Sequence, residues 1–208
     1  MASERTLGLV VDSIMKIVPD FDHIFHLMKP GASMRSMADE IEKGKIRIGG
    51  FRALWFHVGT NAAAPVAVRV DGVQRMVAPS VDDVMAQYRR LKNTIRFYNR
   101  DALLLFSSVL PRLCDFETTG ALVLAVNTRL KTWCRGEANT CFVDVYEEFT
   151  HKSGQHMGEP KRHLFSSKDD LHLSREGLVH LADVLRPHMS LDGLKIMLRG
   201  ERASPLIR

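Results

Sequence analysis

Phe51-Arg52-Ala53-Leu54-Trp55-Phe56-His57-Val58-Gly59-Thr60-Asn61 is the stretch whose reading decides the fold. The run from Phe51 to Val58 is densely apolar and reads as a strand. Gly59-Thr60-Asn61 reads as a polar loop at its end. The same grammar recurs on both sides. Upstream, Leu7 to Val11 is an apolar run ending at Asp12-Ser13, and Phe21 to Met28 is a second, interrupted by Asp22, His23 and His26 and closed by Pro30-Gly31. Downstream, Ala102 to Ser107 and Cys141 to Val145 read as two further strands.

Helical signals fall between these runs. Ser33 is placed to cap a helix through about Lys43, with Met34, Met37, Ala38 and Ile41 at helical spacing. Ser80 caps a longer one to about Asn99, with Val84, Tyr88, Leu91, Ile95 and Tyr98 on one face. Leu122 to Trp133 and Ser174 to Pro187 complete the set, and Ile14 to Val18 begins a helix that Pro19 stops. The segments 62–78, 111–119 and 150–167 read as loops. Strands alternating with helices predict an α/β fold, a parallel sheet with helices on both faces and right-handed crossovers. Sites in such sheets collect at the C-terminal ends of strands. Asp12-Ser13, Gly31 and Gly59-Thr60-Asn61 are therefore expected on one rim.

A chain of 208 residues holds one sizeable domain. We place it at residues 1–190, with the Arg-rich, weakly patterned stretch 191–208 as a tail or linker. No apolar run approaches the roughly 20 residues of a membrane span, and Met1 to Arg5 lacks the design of a secretory signal. Cys114, Cys134 and Cys141 cannot all pair, which suits reduced thiols in a cytoplasmic or nuclear setting. The net charge of +5 admits an anionic partner, RNA or a charged surface. The cations Arg89, Arg90, Lys92, Arg96 and Arg100 fit a solvated helix face better than a nucleic-acid patch.

Chemistry concentrates in Lys168-Asp169-Asp170-Leu171-His172-Leu173-Ser174-Arg175-Glu176-Gly177. Ser174 can cap the following helix. Asp169 lies three residues before His172 and can hold one ring nitrogen, leaving the other to act as a base; Asp170 is the alternative partner. A base of this kind needs a nucleophile, and Ser13 at a strand end is the candidate. The backbone N–H groups of Ser13 and Gly31 and the Asn61 side-chain amide are candidate donors to an oxyanion.

The order Asp-Ser, Gly, Gly-x-Asn, Asp-x-x-His resembles the SGNH (GDSL-type) hydrolase family, over Leu7 to about His188. That resemblance implies a flavodoxin-like three-layer α/β/α sandwich with a central parallel sheet. It implies ester hydrolysis without a metal or cofactor, on a small acyl-ester or lipid substrate. The implied roles are Ser13, Asp169 and His172 as catalytic triad, and Ser13, Gly31 and Asn61 as oxyanion hole. Trp55 to Asn61, Ser107 to Arg112 and Leu171 to Gly177 are also similar to esterase-type domains of metazoan retrotransposon proteins, including first open-reading-frame proteins of some LINE elements. Two positions depart from the family pattern: Val11 stands where Gly usually precedes Asp-Ser, and Ala62 where Asp often follows Gly-x-Asn. They favour, as the rival reading, a scaffold of the same fold serving protein or RNA binding.

Other residues read more plainly. His23, His26 and His57 suit packed or hydrogen-bonded roles, and His151, His156 and His163 match no zinc spacing. Cys114 and Cys141 suit the core. Met28, Met34 and Met37 suit core filling, with an acyl pocket as the alternative. Arg112, after a strand-end proline, is a candidate substrate contact.

Overall fold

The structure, a computed structural model, describes residues 5–11, 24–28 and 31–189. Its elements are β1 (Arg5–Val11), β2 (Ile24–Met28), α1 (Met34–Glu42), β3 (Phe51–His57), β4 (Val66–Val70), β5 (Val73–Val77), α2 (Val81–Tyr98), β6 (Leu103–Ser107), α3 (Phe116–Arg135), β7 (Thr140–Val143) and α4 (Arg175–Met189). Asp12, Ser13, the expected helix Ile14–Val18 and the expected tail 191–208 lie outside the described residues.

Five strands join in the order β2-β1-β3-β6-β7, and every pairing is parallel. With the separate hairpin β4–β5 set aside, this is the flavodoxin-like order. Chain direction across the sheet reverses at β1, which has β2 on one side and β3 on the other. That is the position where ligand sites of such folds form.

Alternation along the strands divides two cores. Leu54, Phe56, Leu104 and Phe106 pack with the buried faces of α1, α2 and α3. Ala53, Trp55, Leu103 and Leu105 face the other way, onto Leu181 and Leu185 of α4 and Phe149, Leu164 and Phe165 of the loop before it. Helices on both faces of a parallel sheet make the expected three layers. Met34 and Met37 are fully buried in the first core, so both are filling rather than a pocket lining. Both serine caps form with their capping boxes, Ser33 with Ser36 and Ser80 with Asp83.

Two loop expectations are overturned. Segment 62–78 contains the antiparallel hairpin β4–β5. Its turn is Asp71-Gly72, both at positive φ of 50° and 79°, the geometry that matches the twist of a two-residue hairpin. Val66, Val68, Val73, Met76 and Val77 on it are exposed. Segment 111–119 is not all loop either, because α3 starts at Phe116. Thr118, Thr119 and Gly120 are weak helix formers, but the Thr119 hydroxyl donates to the Asp115 carbonyl and carboxylate, and the Phe116 ring lies over Gly120.

β7 ends at Val143, two residues before the expected end. Val145 turns out of the sheet, where its N–H and that of Tyr146 both donate to the buried Ser108 hydroxyl at 2.8 Å. Cys114 is exposed rather than in the core. The cations of α2 are largely spent inside the molecule. Arg90 bonds Asp39, Lys92 bonds Glu137, and Arg96 donates to the carbonyls of Ala102 and Asn139. Among the described residues no helix is long and apolar enough to cross a membrane.

Candidate active site

The acidic half of the site is built locally. Ser174 caps α4 by accepting from the Gly177 N–H at 3.0 Å, and its hydroxyl donates to the His163 carbonyl. Its own N–H donates to the Leu164 carbonyl at 3.0 Å. The loop between is closed by Ser166 N–H on the His172 carbonyl and Asp170 N–H on the Ser166 carbonyl, at 2.8 and 2.9 Å. Asp170 takes φ 50°, a left-handed turn position that aspartate tolerates.

Inside this loop one Asp169 oxygen accepts the N–H groups of Leu171 and His172, at 3.1 and 2.9 Å. The other oxygen meets His172 Nδ1 at 2.6 Å. Desolvation pushes the Asp169 carboxyl upward, but the His172 backbone N–H, the His172 ring and the Leu171 N–H outweigh it and bring it down to about 2. The carboxylate is therefore charged wherever the ring could act. With Nδ1 engaged, Nε2 is the nitrogen left for proton transfer. Asp170 faces Arg162 instead, at 3.9 Å, so Asp169 rather than Asp170 is the partner of His172.

The second half assembles from distant segments. The loop after β3 is pinned at each residue. Tyr88 donates its hydroxyl to the Val58 carbonyl at 2.7 Å, Arg112 Nη1 donates to the Thr60 carbonyl at 2.9 Å, and Ala63 N–H donates back to the Gly59 carbonyl at 3.0 Å. Gly59 adopts φ 124°, which a side chain rarely allows. The Asn61 amide donates to the Ala32 carbonyl at 3.1 Å. That bond joins the segments that follow β2 and β3, the two neighbours of β1. Gly31, at φ 72°, therefore lies next to Asn61's anchor, with nothing within 4 Å of where a Cβ would sit. An amide nitrogen carries two hydrogens, so Asn61 keeps one for a ligand. The missing Asp at position 62 does not leave this loop unanchored, because Tyr88, Arg112 and the Ala32 carbonyl hold it.

The structure thus brings Asp169 to His172, and Asn61 to the Gly31 segment. β1 ends at Val11 between β2 and β3; Ser13, two residues further along the sequence, is outside the described residues. Arg112 is not a substrate contact: it is 6% exposed and its guanidinium is committed to Thr60 and to Asp115, at 2.8–3.1 Å in the latter pair. Nothing local in the sequence marks the anchoring role of Arg112 or that of Tyr88.

His57, paired in register with Val11, is 3% exposed and its Nδ1 has no partner among the described residues. Burial lowers its pKa from 6.5 to about 4. The unfolded ring takes up a proton that the folded one refuses, so this stability is complete above pH 6.5 and is lost as pH falls toward 4. A depression of this size corresponds to about 3 kcal/mol. Urea midpoints near neutrality and near pH 4 should show a larger acid loss for the wild type than for His57→Gln; equal losses would refute the assignment.

No family model and no curated protein sequence matches the chain. Solved structures do match. A protein of Streptococcus pneumonia superposes with a TM-score of 0.69 at 16% identity, over 91% of this chain and 86% of that one. A carbohydrate esterase family 3 protein from Talaromyces cellulolyticus gives 0.62 at 14%, over 94% and 98%. A member of the lipolytic protein G-D-S-L family from Veillonella parvula gives 0.60 at 14%, over 88% and 97%. The SGNH resemblance read in the sequence motifs is met at the level of architecture: the chain has the three-layer α/β/α fold of the GDSL-type proteins.

Proposed function

We propose that the chain is a serine esterase of the SGNH type, hydrolysing small acyl or lipid esters through an acyl-enzyme on Ser13. The observation that carries this reading is the Asp169–His172 pair, with Nδ1 held at 2.6 Å by a carboxylate that stays ionised. In the first half-reaction the Ser13 hydroxyl proton passes to His172 Nε2 as Oγ bonds the ester carbonyl carbon. The oxyanion takes N–H bonds from Ser13, Gly31 and the remaining Asn61 hydrogen, each worth roughly 3 kcal/mol in comparable sites. Collapse breaks the bond to the alcohol oxygen, which leaves with the proton from His172. Water then attacks the acyl-enzyme, gives its proton to His172, and the acid departs as Ser13 recovers its hydrogen.

The likeness of Trp55–Asn61 and Leu171–Gly177 to retrotransposon esterase domains makes such a protein the setting of this activity in our reading. A fluorophosphonate probe tests the proposal, because it phosphonylates only an activated serine. Mass spectrometry of the labelled full chain should place the adduct on the peptide containing Ser13. No adduct, or one on another serine, overturns the assignment and returns the chain to the role of a binding scaffold.

A further inference from the structure

The turn that leads from β6 into α3 touches both halves of the site. Arg112 Nη1 donates to the Thr60 carbonyl at 2.9 Å. Its Nε and Nη2 donate to the Asp115 carboxylate at 2.9 and 2.8 Å. Asp115 is itself held by the Thr119 hydroxyl at 2.8 Å, on the first turn of α3. The backbone N–H of Cys114 donates to the Asp170 carbonyl at 2.8 Å. Residues 112–115 therefore grip a carbonyl next to Asn61 and a carbonyl next to Asp169.

The chemistry of the gripping residue is specific. A guanidinium at 6% exposure has lost most of its hydration, and an apolar residue would serve packing alone as well or better. Its planar fork meets a carboxylate with two nitrogens while the third reaches a different acceptor. Lysine cannot span both. The Thr60 carbonyl belongs to the planar peptide that carries the Asn61 N–H. Fixing that plane fixes where the Asn61 side chain begins.

We infer that Arg112 is a positioning residue for ester hydrolysis, setting the Asn61 amide at its working distance from the Asp169–His172 pair. The inference rests on the esterase reading above, and Arg112 itself touches no substrate.

The test compares wild type with Arg112→Lys on p-nitrophenyl acetate, with active sites counted by fluorophosphonate. The variant should lose about 10²-fold in kcat per titrated site, with KM within about twofold. A purely structural arginine would instead lower the melting temperature and the number of titrated sites and leave kcat per site alone, and that result overturns the inference. Asp115→Asn, which frees the fork while sparing the Thr60 bond, should lose less kcat than Arg112→Lys; an equal or greater loss at unchanged KM overturns the ranking. Amide exchange across residues 59–61 separates the two claims. It should quicken by about 10-fold or more in Arg112→Lys, whether or not the wild type hydrolyses esters, and unchanged exchange overturns the inference. A wild type that takes no fluorophosphonate but shows the quickened exchange refutes the esterase reading and leaves the brace standing.

Discussion

Ser13→Ala and His172→Ala are each expected to lower kcat on p-nitrophenyl acetate by about 10⁴-fold or more, with the circular dichroism spectrum unchanged. In the proposed mechanism the hydroxyl and imidazole act as one unit, so the double variant should be hardly worse than either single one. Residual turnover would come from binding and the oxyanion donors. The carboxylate of Asp169 is charged down to about pH 2, so mild acidification should leave its charge in place. Asp169→Asn should cost less than His172→Ala, since the ring keeps its place but loses the charge that steadies its protonated form. Progress curves with each variant, corrected for spontaneous ester hydrolysis, check these orders. Hydrolysis that survives Ser13→Ala removes that serine from the mechanism.

Gly59→Ala is expected to destabilise the fold by about 3 kcal/mol or more, lowering the melting temperature by roughly 10 °C. A Cβ there would lie 2.4 Å from the Tyr88 hydroxyl oxygen and 2.7 Å from a Val109 methyl, on a backbone at φ 124°. Neither neighbour can retreat. Tyr88 is fully buried and its hydroxyl is spent on the Val58 carbonyl. Val109 is clamped by Asn127, which accepts its N–H at 2.8 Å and donates to its carbonyl at 2.9 Å. Gly136→Ala is the matched control: its Cβ would meet only the Trp133 carbonyl oxygen at 3.6 Å, an ordinary contact. Thermal unfolding of the pair should leave Gly136→Ala near the wild type.

The sequence is legible where the determinants are local. The Ser33, Ser80 and Ser174 caps are each set by a side chain and an N–H three residues on. Asp169 and His172 share that spacing, which makes Asp169 the leading partner, while the rival Asp170 is set aside only by the turn that points it toward Arg162. β3 is legible because an apolar run of that density has few other homes. The β4–β5 hairpin is hidden although Asp71-Gly72 sits between two valine-rich alternations, a strong turn signal. The small residues of 62–65 just before it give the whole segment the composition of a loop. The start of α3 is hidden by weak helix formers that tertiary bonds rescue. Arg112 reads as a rim residue because its carbonyl partner lies 52 residues away, and no spacing rule reaches that far. Cys114 reads as core because an apolar-leaning residue type sits in a turn that serves through its backbone.

The two halves of the candidate site differ in the sequence span that their bonds must close. The Asp169–His172 loop closes over a dozen residues, so its geometry can form early in folding at little entropic expense. The bond from Asn61 to the Ala32 carbonyl spans 29 positions and needs β2, β1 and β3 already in register. Under the proposed mechanism, turnover is expected to return during refolding only once this long-range register has formed, later than the Asp169–His172 contact.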